Sequence, residues 1–263
     1  LDHILPVFAT VFQVCWRLLY LAFSAPIIDS RERSPGEGTR KGDLFHTTKG
    51  EAMSRYAMAI DLRRCAGCGA CVVACQLENN QKPGVSWNAL DCCEWGDEVG
   101  QSGRCYVPHA CMHCENAPCV EICPTGATYT REDGIVAVDY EKCISCQACV
   151  SACPYGARKV SAGTGWLFDA AEPAPYEAYG EQRGAVVEKC AFCAHRVDEG
   201  KKPACVVNCP GKARFFGDLD DPESDVSVFL AAHPECEQIG LSGLYYRTVD
   251  GMPEGSIDQI VSA

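Results

Sequence analysis

The sequence predicts an α+β fold built from two similar units with loop-rich insertions, and three observations support this prediction. Sixteen of its 21 cysteines fall into four dense groups. Short alternating apolar stretches lie next to these groups and are typical of β-strands. Stretches rich in Gly, Pro and acidic residues separate the groups and are typical of loops. The recurrence of a cysteine group followed by a short strand indicates that the chain uses one structural unit twice.

Composition and charge restrict the class of protein. The chain has 263 residues, of which 47% are hydrophobic, so it can form one large core or two small ones. Dense cysteine groups separated by ordinary sequence favour metal binding over a disulfide scaffold. The net charge is -12 before any cysteine is counted as a thiolate, which argues against a nucleic-acid partner.

Residues 1–52 differ from the remainder of the chain. The stretch Ile4–Ile28 is apolar but interrupted by proline and charge, so it fits neither a signal peptide nor a spanning helix well. The stretch Lys49–Ala52 matches a translated ribosome-binding site, and in that hypothesis the protein begins at Met53. We therefore treat residues 1–52 as an N-terminal extension that is either not translated or disordered, and Cys15 receives no role.

The spacing of the third and first cysteine groups is typical of cubane iron–sulfur sites. The third group, Cys143 to Pro154, reads C-x2-C-x2-C-x3-C-P, in which three thiolates hold one cluster and the fourth reaches a second cluster. The first group, Cys65 to Cys75, repeats the 2-2-3 spacing with Gln76 in place of the proline. A structural zinc site takes its four ligands as two separated pairs, so zinc remains only an alternative.

The second and fourth groups contain longer excursions between their cysteines. The second group, Cys111 to Cys123, has 2-4-3 spacing and includes His113, which we expect to donate a hydrogen bond or pack rather than to bind metal. The fourth group, Cys190 to Cys209, has 2-11-3 spacing. Its excursion carries His195, Arg196, Lys201 and Lys202, which either face a cluster or partner or are solvated loop charges.

Short strands accompany the cysteine groups. The stretch Tyr56–Asp61 alternates before the first group, and Gly211–Phe216 follows the fourth. A β-hairpin is predicted between the second and third groups. It consists of a turn leading into a strand at Thr125–Tyr129, a hairpin turn at Arg131–Gly134 and a returning strand at Ile135–Asp139. This order of cluster loop, hairpin and cluster loop is the layout of a two-cluster ferredoxin.

Two insertions interrupt this pattern, at residues 76–104 and 158–184. Both are turn-rich, and their aromatic residues Trp87 and Trp166 are candidates for docking surfaces. A short helix is predicted from Ser227 to Ala232. The thiols outside the four groups are expected to bind no metal because no fourth well-spaced ligand accompanies them. Apart from Cys15, these thiols are Cys92, Cys93, Cys105 and Cys236.

From about Met53 to Asp221 the chain resembles the electron-transfer iron–sulfur subunit of molybdopterin oxidoreductases. This family accompanies dimethyl sulfoxide, polysulfide, thiosulfate, tetrathionate and arsenate reductases. The order and spacing of the four cysteine groups carry the resemblance, together with Cys190-Ala-Phe-Cys193 and the stretch Gly217–Pro222. The resemblance implies two ferredoxin-like units, four [4Fe-4S] clusters and no catalysis by the chain itself.

The resemblance also implies which cysteines share a cluster. The first group pairs with the fourth and the second with the third, and the last cysteine of each group crosses to the cluster of the paired group. Cys149 stands where some relatives have tryptophan and a three-iron cluster, so four cubanes are expected. The ligand sets are quartet A (Cys65, Cys68, Cys71 and Cys209), quartet B (Cys75, Cys190, Cys193 and Cys205), quartet C (Cys111, Cys114, Cys119 and Cys153) and quartet D (Cys123, Cys143, Cys146 and Cys149).

The resemblance implies a domain organisation as well. Residues 53–110 with 185–221 form unit one, which carries quartets A and B. Residues 111–184 form unit two with its insertion, and residues 222–263 form a C-terminal tail in which no apolar run is long enough to cross a bilayer.

The implied partners are a catalytic subunit with a molybdenum or tungsten pterin, and a quinone-linked membrane anchor subunit or a soluble redox carrier. The chain is then membrane-associated through its partners, on the extracytoplasmic side if it is exported with the catalytic subunit, and cytoplasmic otherwise. Three alternatives remain open: a beta subunit of a formate dehydrogenase or hydrogenase complex, a free-standing polyferredoxin, and a structural zinc protein.

Overall fold

The computed structural model describes residues 54–96, 102–161 and 184–262 of the chain. The predictions made for residues 1–52, Cys15 and Trp166 lie outside these ranges. Within them the fold is mixed α/β with small sheets. The helices are α1 (Ala70–Glu78), α2 (Pro118–Glu121), α3 (Ala148–Ala152), α4 (Ala194–Val197), α5 (Ala204–Val207), α6 (Asp225–Ala232) and α7 (Ser256–Val261). The strands are β1 (Tyr56–Asp61), β2 (Ala89–Trp95), β3 (Gly103–His109), β4 (Thr128–Thr130), β5 (Val136–Val138), β6 (Lys159–Ser161), β7 (Val186–Glu188), β8 (Arg214–Asp218), β9 (Glu237–Gln238) and β10 (Leu244–Arg247).

Strand β1 lies inside a four-stranded sheet with the order β8-β1-β10-β9. It pairs antiparallel with β8 and parallel with β10, so that Met58 lies opposite Phe216 on one side and Leu244 on the other. The strand predicted at Tyr56–Asp61 is confirmed with the same bounds. Because β8 follows the fourth cysteine group and β1 precedes the first, this pairing brings the two groups together.

Residues 222–263, predicted as a C-terminal tail, contribute α6, β9, β10 and α7 to the described structure. Tyr246 of β10 is fully buried, and its hydroxyl donates to the carbonyl of Pro108 at 3.1 Å. Ile257 of α7 is buried in the same apolar core. The helix predicted from Ser227 to Ala232 is confirmed and begins two residues earlier. These residues therefore complete the core beside the first and fourth cysteine groups.

Three two-stranded antiparallel sheets accompany this sheet in the described part of the chain. The predicted hairpin after the second cysteine group is confirmed, with Thr128 of β4 opposite Val138 of β5. Strands β6 and β7 pair across the second insertion. Strands β2 and β3 pair over seven positions, from Ala89 opposite His109 to Trp95 opposite Gly103. The first insertion thus contains strand β2 and the start of β3 as well as turns.

Trp87 is a core residue, so the docking role predicted for it is wrong. Its side chain is 5% exposed, and the indole Nε1–H donates to Oε2 of the buried Glu188 at 3.1 Å. Its backbone N–H donates to Oε1 of Gln81 at 2.9 Å. In the sequence, a large aromatic residue in a polar insertion suggests a docking residue on the surface. In the structure, the insertion folds back and Trp87 lines a cavity together with cysteines of three groups.

Left-handed residues begin several of the short helices. Gly69 before α1, Gln147 before α3 and Cys193 before α4 have φ angles of 72°, 61° and 53°. Glycine adopts this conformation at no steric cost, whereas the Cβ of Gln147 and of Cys193 makes it less favourable. The sharp turn bends each cysteine loop around a cavity instead of letting it continue as a strand.

Candidate metal centres

Quartet A surrounds one cavity of about 390 Å³. Cys65, Cys68 and Cys71 come from the loop after β1 and the first turn of α1, whereas Cys209 comes from the loop after α5. The backbone N–H of Ala213 donates to Sγ of Cys209 at 3.3 Å. Four thiols around one cavity are the donor set that a cubane cluster requires.

Quartet B surrounds a second cavity of about 410 Å³, and all four of its thiols are buried. Burial, followed by the charge of Cys205, raises the pKa of the Cys193 thiol to about 11. The side chain of Gln81 donates to Sγ of Cys75 at 3.1 Å, and that of Asn79 donates to the same sulfur at 3.6 Å. Buried thiolates would repel one another, so the site requires a cationic core or protons to balance them.

Quartets C and D are assembled from the second and third cysteine groups. The thiols of quartet D surround a cavity of about 330 Å³. In quartet C, burial and then the charges of Cys111, Cys119 and Cys153 raise the pKa of the Cys114 thiol to about 11. Helices α2 and α3 pack against each other and carry Cys119 and Cys149. The thiols of quartets A, B and D thus each line one cavity, and in quartet C the charges of Cys111, Cys119 and Cys153 act on Cys114.

The four quartets follow one another in the order A, B, C and D. Arg214 lies on the walls of both the A and the B cavities. Cys111 of quartet C lies on the wall of the B cavity, and Arg158 lies on the wall of the D cavity while donating to Sγ of Cys119 in quartet C at 2.8 Å. Among the sixteen grouped thiols the exposed ones are Cys68 and Cys146, which belong to the two end quartets.

His113 lies inside the second cysteine group, and its ring is buried. Its Nδ1 accepts a hydrogen bond from the backbone N–H of Val136 at 3.1 Å, so the neutral ring carries its proton on Nε2. This Nε2 has no partner in the described structure, and the ring stacks on Phe192 at 3.7 Å. A buried N–H of this kind requires an acceptor, and a cluster sulfide would be one. The expected role of His113 as donor or packed side chain agrees with this geometry.

The residues around the quartets fit iron–sulfur clusters. Backbone and side-chain N–H groups reach ligand sulfurs, as in Thr128 N–H to Sγ of Cys123 at 3.4 Å. Cubane clusters are held by four thiolates and take such hydrogen bonds. In the same described ranges, no three His, Cys, Asp or Glu side chains are grouped so that they could hold a single metal ion. Bound clusters would supply one-electron transfer, and iron binding would displace the thiol protons.

The cations of the fourth group's excursion pair with carboxylates instead of facing a cluster. Nε2 of His195 lies 2.9 Å from Oε1 of Glu78, and Arg196 donates to Oε2 of the same residue at 3.0 Å. Lys202 pairs with Asp225. Because Glu78 ends α1, these contacts fasten the excursion to the helix that carries Cys71 and thereby hold quartets A and B side by side.

None of the described thiols outside the quartets lines the cavities of quartets A, B and D. Cys93 of β2 lies directly opposite Cys105 of β3, and neither forms a disulfide. Cys92 is exposed and Cys236 packs against a small apolar cluster near α6.

Sequence reasoning missed the buried side chains that support the sulfurs: Asn79, Gln81, Arg158 and Arg214. A signal for the arginines was present, because each stands five residues after the last cysteine of its group in Cys-Pro-x-x-Ala-Arg.

We expect Gly211→Ala to damage quartet A selectively. A Cβ at this position would lie 2.5 Å from the carbonyl oxygen of Arg64, and both residues line the cavity of quartet A. The matched control is Gly184→Ala, where the Cβ would meet nothing within 4 Å. Iron analysis of air-free preparations should show a deficit in the first variant and none in the second. Full iron in Gly211→Ala would contradict the role given to this close contact.

Comparison with known proteins agrees with this chemistry. Residues 103–169 and 164–219 match a family described as a 4Fe-4S dicluster domain, and residues 63–79 match a 4Fe-4S binding domain. A protein of Halobacterium salinarum, provisionally named as the iron–sulfur subunit of a dimethyl sulfoxide reductase, is 47% identical over 69% of this chain and 72% of its own length. The B subunit of selenate reductase from Mesobacillus selenatarsenatis is 41% identical over 68% and 65%, and the B subunit of tetrathionate reductase from Salmonella typhimurium is 38% identical over 73% and 69%.

Proposed function

This chain belongs to the family of iron–sulfur electron-transfer subunits of molybdopterin-type reductases, and we propose that it carries four [4Fe-4S] clusters in the row A, B, C, D. It is an electron-transfer component and does no bond chemistry on a substrate. The observation that carries the proposal is spatial: four sets of four thiols follow one another in a row, and each end of the row has an exposed thiol. The sixteen cysteines of quartets A to D are the proposed ligands, arranged in two ferredoxin-like units.

In this proposal the chain conducts electrons between its two exposed ends. All four thiols of quartet B are buried, and quartet C has two buried and two half-buried thiols, so these inner quartets are less open to water than the end quartets. The end quartets A and D border solvent at Cys68 and Cys146, where a partner's redox centre can approach. Exposed apolar side chains lie beside both ends: Val73 and Val207 near quartet A, and Ile122 and Ile144 near quartet D.

The chain is a component of a multi-subunit reductase complex. We propose that one end contacts a catalytic subunit with a molybdenum or tungsten pterin and that the other contacts a quinone-linked membrane subunit or another redox carrier. None of the described helices could span a bilayer. In this proposal the chain associates with the membrane through its partners, on the extracytoplasmic side if it is exported with the catalytic subunit.

The experiment that tests the proposal is iron and acid-labile sulfide analysis of the full chain purified without air. We expect about sixteen of each per chain, four for every cubane. Electron paramagnetic resonance of the dithionite-reduced protein should show four interacting clusters. Copurification with a pterin-containing subunit distinguishes the complex from a free-standing polyferredoxin. A colourless, iron-free protein that holds zinc would overturn the proposal.

A further inference from the structure

Two arginines occupy equivalent places in the two halves of the chain. Arg158 ends the stretch Cys153-Pro-Tyr-Gly-Ala-Arg, and Arg214 ends the stretch Cys209-Pro-Gly-Lys-Ala-Arg. The corresponding position after the second group is Thr128, and after the first group it is Asn80. Each half of the molecule therefore has one arginine at this position, contributed by the later of its two cysteine groups.

Arg158 lies between quartets C and D. Its side chain is almost fully buried, at 4% exposure of the residue. Nη2 donates to Sγ of Cys119 in quartet C at 2.8 Å, while Nη1 donates to the hydroxyl of Thr128 at 3.1 Å. The same side chain forms part of the wall of the D cavity, next to Cys149. The guanidinium is thus within reach of both proposed clusters of this half.

Arg214 occupies the matching place between quartets A and B. It is 6% exposed and forms part of the walls of both cavities. Nη1 lies 3.6 Å from Sγ of Cys205 in quartet B, and Nη2 donates to Oδ1 of Asn88 at 3.3 Å. As with Arg158, one nitrogen of the guanidinium donates to a neutral side-chain oxygen and the other faces a ligand sulfur.

Neither guanidinium has a carboxylate within ion-pair distance among the described residues, whereas other arginines such as Arg131 and Arg196 do. A buried cation without a counter-charge is strongly unfavourable, and arginine does not lose its proton in proteins. The negative charge that balances these two arginines is therefore the charge of the ligand sulfurs and of the groups they hold.

We propose that Arg158 and Arg214 are shared counter-cations, each of which sets the reduction potentials of both clusters in its own half. The inference rests on the proposed function, because it needs one cubane in each quartet. Reduction adds one electron and hence one negative charge to a cubane, and a cation between two cubanes stabilises the reduced form of each. It also weakens the repulsion between them, so both can be reduced at the same time.

The test is a redox titration of the full chain, kept free of air, with dithionite as reductant and electron paramagnetic resonance as the readout. Arg158→Gln removes the charge and keeps a hydrogen-bond donor on a shorter side chain. We expect the potentials of clusters C and D to shift downward and those of A and B to stay unchanged. Arg214→Gln is the matched control and should give the opposite pattern, with A and B shifted and C and D unchanged.

Arg158→Lys covers the case in which the glutamine variant loses a cluster. An ammonium keeps the charge but lacks the planar fork that reaches two sites at once. We expect a smaller downward shift, again confined to C and D. Four intact clusters with unchanged potentials, or equal shifts in all four, would overturn this inference and leave the proposed function standing. Fewer than four clusters in the unaltered protein would instead overturn the proposed function.

Discussion

Cys209→Ala is expected to destroy the cluster of quartet A and not that of its own cysteine group. Cys209 shares a cavity with Cys65, Cys68 and Cys71, whereas the other cysteines of the fourth group surround a different one. Removing one of four thiolates leaves an iron without its ligand, so the cubane is lost or converted to a three-iron form. Because A is an end cluster, electron transfer through that end should stop.

Matched variants make this result specific. The resonance spectrum of Cys209→Ala should match that of Cys68→Ala and differ from that of Cys193→Ala. Cys75 belongs to the first cysteine group but borders the B cavity. The resonance spectrum of Cys75→Ala should therefore match that of Cys193→Ala. Iron content, measured on the same preparations, reports the size of the loss. A Cys209→Ala spectrum identical to that of Cys193→Ala would contradict the crossed ligand sets.

Trp87→Ala is expected to be the most damaging change outside the cysteines. Truncating a buried tryptophan costs about 3–5 kcal/mol, and here it also leaves the buried carboxylate of Glu188 without its indole donor. Trp87 forms part of the wall of the B cavity, so its loss admits water and oxygen to cluster B. We expect faster loss of visible cluster absorbance in air, together with a lower free energy of unfolding measured without air.

Two further variants separate the causes of this effect. Trp87→Phe keeps most of the ring and removes the hydrogen bond, so it should be intermediate. Trp95→Ala removes a partly buried ring from the same insertion, at a place away from the B cavity, and should leave cluster stability near that of the unaltered protein. Equal air sensitivity of Trp87→Ala and Trp95→Ala would show that general destabilisation, and not exposure of cluster B, causes the loss.

The local features of the fold could be read from the sequence because they depend on neighbouring residues. The alternating apolar pattern of Tyr56–Asp61 predicted β1, and turn residues between two apolar stretches predicted the β4–β5 hairpin. The spacing of the cysteines is likewise local, since two or three intervening residues fix how a loop can curl around a metal centre. These patterns identified the sixteen grouped thiols and the chemistry that they suit.

Other features depend on contacts between distant residues, and no local pattern records them. Trp87 reads as a surface residue because its neighbours in sequence are polar, yet Glu188 and the quartet B thiols enclose it. Strand β10 pairs with β1 across more than 180 residues, from Met58 to Leu244, so a stretch with the composition of a tail lies inside the central sheet.

By itself the sequence determined the kind of centre this protein can hold, because thiol number and spacing along the chain decide which metal groups can bind. Only the tertiary structure decided the order A, B, C, D, which ends are open to partners and where the two buried arginines lie. The order of the quartets and the burial of the arginines arise from packing between segments that are far apart in the sequence. Such segments meet at one cavity wall only in the folded chain.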